Sequence, residues 1–211
     1  MAKPTSAMNM FAYFSNVTQI EGMEYLNTSQ VTNMKYMFQG CSSLQSIHAE
    51  FLNTSNVTDM TGMFYGCSSL LSIDVSNFDM SKVTATSYMF SGCSSLEKIQ
   101  CNKDWSAMSN ITKSSDMFGD CASIVGGYGT PFDASHVNVE YARPDGGTDA
   151  PGYFWKAGDT GEEPEDPVDP QEGIDQTSQE PKANSQKLIR DGMLLIERNG
   201  KTYNAQGVEV R

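Results

Sequence analysis

The stretch "MFQGCSSLQSI" spans residues 37–47 and returns as "MFYGCSSLLSI" at 63–73 and "MFSGCSSLEKI" at 89–99. A weaker copy, "MFGDCASIVGG", begins at 117. The copies place Cys41, Cys67, Cys93 and Cys121 at steps of 26, 26 and 28 residues. Other columns move in register: Met37, Met63, Met89 and Met117, each followed by Phe; Val31, Val57, Val83 and Ile111, each followed by Thr; Leu44, Leu70, Leu96 and Ile124. Ile47, Ile73 and Ile99 form one further column, and Leu26, Leu52, Phe78 and Trp105 another. An earlier, degraded copy, "MFAYFSNVTQI" at 10–20, keeps Met10, Phe11, Val17 and Ile20 but has Phe14 where the others have Cys.

A period in the twenties with fixed Leu and Ile columns is the pattern of a repeat array in which equivalent residues stack into ladders and the ladders form the core. The expected fold class is an α/β repeat, a leucine-rich-repeat-like solenoid of about five coils. In "SLLSI", Leu70 and Ile73 predict a short strand, and such strands would stack in parallel about 4.8 Å apart. In "NVTDMTGMFYG", Val57, Met60, Met63 and Phe64 sit at helical spacing, with Thr58 as N-cap, Asp59 in the first turn and Gly66 as terminator. Buried Leu, Ile and Phe contribute roughly 1.5–3 kcal/mol each. A chain that is only 38% hydrophobic can therefore still fold.

The expected domains are the repeat array at 1–127, with 10–36 as its degenerate first coil, and a C-terminal cap at 128–157. Tyr141, Tyr153, Phe154 and Trp155 would cover the open end of the array. Residues 158–186 are acidic, Pro-rich and nearly free of apolar side chains, which predicts a disordered linker. In 187–211, Asp191-Gly192 and Asn199-Gly200 separate β-rich runs and predict a small hairpin tail.

The pattern "VTDMTGMFYGCSSLLSIDVSNFDMSKVT" resembles the BspA-like leucine-rich-repeat surface proteins. The closing "IQCNKDWS…ITKSSDMFGDCASIVGGYGT…YARPDGGTDAPGYFWK" is similar to the usual end of such arrays. The resemblance covers about residues 10–156. It implies a right-handed solenoid, exposure at a cell surface or outside the cell, and adhesion to proteins of a host or of other microbes. The tail "KLIRDGMLLIERNGKTYNAQGVEVR" is similar to C-terminal segments of Bacteroidetes secreted proteins, the kind read by a type IX sorting system.

A net charge of −12 argues against nucleic acid and anionic membranes as partners. No run of 18 apolar residues suggests a membrane span. The opening "MAKPTSAMNMFAYF" lacks the apolar core of a signal peptide. The protein is therefore cytoplasmic, or the chain begins after a removed leader or inside a longer protein. The chain is expected to act as a monomer.

The cysteines invite three readings. Zinc would want close pairs such as C-x-x-C, which are missing. Stacked neighbours could reach disulfide distance, but their side chains would point the same way and Cys101 leaves the count odd. The favoured reading is small buried thiols at a tight corner, with Ser42, Ser68 and Ser94 bonding backbone groups. Met columns beside Phe read as core. The two histidines, His48 and His136, lack a catalytic motif, and Asp145 and Asp149 in "DGGTDAPG" lack an EF-hand's spacing. No enzyme activity and no cofactor are expected.

The variable residues beside the ladders form the candidate binding face: Gln45, Ser46 and His48; Leu71, Ser72 and Asp74; Glu97, Lys98 and Gln100. The expected function is protein binding or adhesion through the array surface. A carbohydrate-binding or spacer module is the alternative, with Tyr128, Tyr141 or Trp155 as exposed aromatics. A Cys or Ser hydrolase is the third reading.

Overall fold

The structure, a computed structural model, describes residues 4–157 and 159, together with the backbone of the strands between 185 and 210. The chain divides into two compact units, Met1–Glu165 and Asp166–Arg211.

In the first unit the segments that read as helical are chains of turns. Within Met34–Cys41 the even-numbered amides leave their own copy. Met34, Tyr36, Phe38 and Gly40 donate to the carbonyls of Asp59, Thr61, Met63 and Tyr65 at 2.9, 2.9, 2.8 and 2.7 Å. The odd-numbered amides close local turns, Met37 to Met34, Gln39 to Tyr36 and Cys41 to Phe38, each at 3.2 Å. The next copy repeats this, with Met60, Gly62, Phe64 and Gly66 donating to Ala85, Ser87, Met89 and Ser91. An α-helix would instead bond each amide to the carbonyl four residues back, with φ negative throughout. Here every copy turns left-handed twice, four residues apart. The pairs are Tyr36 (φ 56°) and Gly40 (69°), Gly62 (58°) and Gly66 (72°), Tyr88 (60°) and Gly92 (75°), Asp116 (52°) and Asp120 (58°).

The expected α/β solenoid of about five coils is therefore corrected. Among the described residues there is no α-helix, only three-residue 3-10 turns at Met23–Tyr25, Ala49–Phe51, Val139–Tyr141 and Gly147–Asp149. A strand does not recur in every copy. One parallel sheet holds three short strands, β1 (Ser72–Asp74), β2 (Lys98–Gln100) and β3 (Phe154–Trp155), in that order. The last strand comes from the segment after the final copy. Helical spacing misled because turns closed by i to i+3 bonds also return side chains to one side every three or four residues. Thr58 caps nothing; its amide and hydroxyl both donate to the Thr32 carbonyl of the preceding copy, at 2.8 and 3.1 Å.

The apolar columns are buried. Val57, Met60, Met63, Phe64, Cys67 and Leu70 have no solvent exposure, and neither do their counterparts in the flanking copies at the Met, Phe, Cys and Leu positions of 37–44 and 89–96. The phenylalanines stack face to face across copies. Centroids are 5.3 Å apart for Phe11–Phe38, 5.4 Å for Phe38–Phe64, 5.6 Å for Phe64–Phe90 and 5.8 Å for Phe90–Phe118, all within 7° of parallel. Tyr153 then meets Phe118 edge-on at 5.2 Å, and Phe154 meets it edge-on at 6.4 Å.

Single parallel bridges link Ser6, Asn33, Asp59, Ala85 and Lys113 in succession. Side chains reinforce them. Thr84 and Thr112 each donate a hydroxyl to the matching Thr carbonyl of the copy before, Ser68 and Ser94 do the same for the serines, and Ser123, with Ala122 before it, reaches the Ser94 carbonyl.

The second unit carries an antiparallel sheet of β4 (Ser185–Arg190), β5 (Met193–Arg198), β6 (Lys201–Asn204) and β7 (Glu209–Val210). Arg190 pairs with Met193 and Arg198 with Lys201; the turns expected at Asp191-Gly192 and Asn199-Gly200 lie outside the described residues. Four strands are present where a hairpin was expected. The linker expected at 158–186 lies, but for a few residues, outside the described residues.

Candidate binding surface

The sheet gathers most of the residues expected to form the binding face. Backbone bonds run from Leu71 to Gln45, from Glu97 to Leu71 and from Val125 to Glu97. Ser72 pairs with Lys98, and Asp74 with Gln100, which pairs in turn with Trp155. Ser46 and His48 stay outside the strands, His48 bonding Glu50 through Nδ1 at 2.8 Å. Much of the polar face has work within the fold. Asp74 accepts the Ser76 amide, Gln100 donates to the Trp155 carbonyl, and the Lys98 ammonium lies 4.4 Å from the Trp155 ring centroid. Trp155 is thereby half-buried under Lys98 and donates its indole N–H to Val125. Leu71, at 51% exposure, is the large apolar residue left open on this face.

A second surface lies outside the binding face expected from the sequence. Tyr13, Tyr65 and Tyr88 are 68%, 41% and 40% exposed. Tyr13, Tyr36 and Tyr88 all stand at left-handed backbone positions, with φ of 64°, 56° and 60°. A bulky residue there costs roughly 1–2 kcal/mol. The glycines opposite make room for the rings. A Cβ on Gly40 would meet the Tyr13 ring, and one on Gly62 would run into the Tyr36 ring. Tyr36, Gln39, Tyr65 and Tyr88 line a hollow of about 240 Å³. Tyr65 and Tyr88 meet edge-on at 6.4 Å and also wall a neighbouring cleft of about 390 Å³ that contains Asp116 and Asp120.

A third cleft, about 450 Å³, lies at the C-terminal end between Tyr128, Tyr141 and Asp133. It brings together two of the three aromatics proposed for a glycan; Trp155 stands apart on the sheet. Beside it, Ser135, His136 and Asp133 resemble a catalytic trio in composition only. One nitrogen, Nδ1 of His136, faces both the Ser135 hydroxyl and the Asp133 carboxylate, each at 3.0 Å. A base needs one nitrogen for the nucleophile and the other for its orienting carboxylate. Ser135 holds the Asp133 carboxyl low, at about 2.

The cysteines form a ladder of free, buried thiols. Cys41, Cys67, Cys93 and Cys121 donate to the carbonyls of Phe11, Phe38, Phe64 and Phe90 at 3.1, 3.2, 3.1 and 3.0 Å. Burial pushes Cys41 and Cys101 up to about 11 and Cys121 to about 12, and raises Cys93 as well. Thiolate is the reactive form, so these are packing groups and poor nucleophiles. At pH 8 the native protein should take up iodoacetamide far more slowly than the urea-unfolded chain, read by mass spectrometry. Labelling of any of the five at the rate of a free thiol contradicts the ladder.

Asp145, expected as a doubtful calcium ligand, is fully buried and already saturated. It accepts the amides of Tyr128, Thr130 and Gly147 at 2.9, 3.0 and 3.0 Å and the Thr130 hydroxyl at 2.7 Å. Among the described residues, no group of three or more His, Cys, Asp or Glu side chains could hold a metal ion. Among the same residues, no helix is long and apolar enough to cross a membrane.

Turns bonded copy to copy over buried Met, Phe, Cys and Leu ladders define a class, a protein built from repeated copies of one turn unit. Residues 5–128 match the family model described as "Mycoplasma protein of unknown function, DUF285", and the chain belongs to that family. No curated protein and no solved structure matches it.

Proposed function

We propose that this chain is a non-enzymatic protein-binding module of a cell-surface or secreted protein, an adhesin-like role in keeping with its BspA-like resemblance. The contact is made through the tyrosine row. What supports the reading is one observation: Tyr36, Tyr65 and Tyr88 crowd two adjoining clefts, and two of the three are held there in a costly backbone conformation. Tyrosine is enriched among the residues that carry binding energy, because it buries a large rigid surface and keeps a polar tip. The sheet face, with its polar groups engaged internally, is left out of the contact. An array of host matrix and bacterial surface proteins, probed at micromolar concentration, tests the proposal. A saturable binder should appear for the wild type and vanish for Tyr65→Ala/Tyr88→Ala; no binder, or one indifferent to the tyrosines, overturns it.

A carbohydrate-binding role is the second reading, favoured by Tyr128 and Tyr141 facing one cleft with Asp133. Binding on a glycan array that is lost in Tyr128→Ala/Tyr141→Ala would select it.

A further inference from the structure

The cleft walled by Tyr65 and Tyr88 differs from its neighbour in one respect. Its far side carries two carboxylates, Asp116 and Asp120, both exposed. Among the described residues neither accepts a hydrogen bond or joins an ion pair, and none of the hydroxyls of Tyr36, Tyr65 and Tyr88 is bonded. In the three preceding copies the position of Asp120 is glycine, at Gly40, Gly66 and Gly92. The last copy thus sets an acid where the three copies before it set no side chain at all.

We propose that this cleft takes a cationic side chain of a protein partner, an arginine in the first instance. The inference rests on the protein-binding reading above and adds the chemistry of the contact. A guanidinium is planar. It stacks on tyrosine faces and at its edge donates two parallel bonds to a carboxylate. The cleft supplies both halves, aromatic walls at Tyr65, Tyr88 and Phe132 and open carboxylates at Asp116 and Asp120. At the other end of the row the chain already makes such a contact with itself, the Lys35 ammonium lying 5.1 Å from the Tyr36 ring centroid. The net charge of −12 favours a basic partner over an acidic one and speeds its approach. A neutral glycan would use the rings but gain little from two carboxylates.

The test uses the whole 211-residue chain, isotope-labelled, and three short peptides that differ at one residue type: acetyl-Gly-Arg-Gly-Arg-Gly-amide and its citrulline and lysine counterparts. Citrulline keeps the shape of arginine and removes its charge. The arginine peptide should shift the resonances of Tyr65, Tyr88 and Gly119 saturably, and the citrulline peptide should bind about tenfold or more weakly. Asp116→Asn and Asp120→Gly should each narrow that gap, and the pair should close it. Both changes suit the left-handed backbone, since Asn tolerates it and glycine stands at the Asp120 position in the three preceding copies. Equal binding of arginine and citrulline peptides overturns the inference. So do shifts spread over acidic residues elsewhere and unchanged in the double variant, or an oligosaccharide moving these resonances while the arginine peptide does not. An arginine-blind cleft with tyrosine-dependent protein capture removes this inference alone. An arginine-binding cleft with no protein partner removes the protein-binding reading instead.

Discussion

Phe64→Ala should lower the unfolding free energy by about 3–5 kcal/mol in a urea titration, with little change in slope. Phe64 has no solvent exposure and lies between two parallel rings, 5.4 Å from Phe38 and 5.6 Å from Phe90. Truncation removes the transfer free energy of the ring and leaves a cavity that the neighbours cannot close. Their positions are set by backbone bonds from copy to copy: Phe38 donates to Met63, and Phe64 to Met89. Phe11, only partly buried at the start of the stack, is the internal control. Phe11→Ala should cost clearly less. Equal costs at the two positions would mean that the stack is not the source of stability.

Asp145→Ala should be the next most damaging change, lowering stability by about 3 kcal/mol or more. Its carboxylate gathers Tyr128, Thr130 and Gly147 around one buried point. Without it three amides and a hydroxyl lose their acceptor at a fully buried carboxylate, and each orphan that water does not reach costs about 1–3 kcal/mol. The loss should be local first. Hydrogen exchange at Tyr128, Thr130 and Gly147 should accelerate well before exchange at Met63 or Phe64. Asp149→Ala, at an exposed residue of the same loop, should do almost nothing. Uniform acceleration across the unit would refute the role assigned to Asp145.

Burial was legible in the repeat itself. Met, Phe, Cys and Leu recur in register because each copy must present the same shape to the next, and the structure buries those columns. Backbone geometry was harder to read. Val57, Met60, Met63 and Phe64 carry helical spacing, yet Gly62 and Gly66 belong to left-handed turns. Glycine at the end of the run read as a stop, when it was one of two corners. Strand formation also differed between copies of nearly identical sequence. Beyond Ile73 the chain continues into Val75, which suits an extended backbone. Beyond Ile47 it meets Ala49 and Glu50, better helix formers, and closes a 3-10 turn at Ala49–Phe51.

The tyrosine row was hidden for a related reason. Tyr13 falls in the column of Gly40, Tyr36 and Tyr88 in that of Gly62, and Tyr65 in that of Gln39. No single column announces them, and only the turn geometry brings them to one surface. The glycine columns were the available signal. Glycine at Gly40 and Gly62 leaves space for a ring from the copy before.

The central claim is that the tyrosine row, and not the sheet, makes the contact with a partner. The direct measurement is the dissociation constant of a captured protein for three forms of the chain: wild type, Tyr65→Ala/Tyr88→Ala, and Leu71→Ala/Lys98→Ala, each shown to be folded by its urea transition. Loss of two hot-spot tyrosines should weaken binding by about 30-fold or more, and the sheet-face pair by no more than a few-fold. The reverse order, with the sheet-face variant crippled and the tyrosine variant unaffected, would contradict the account.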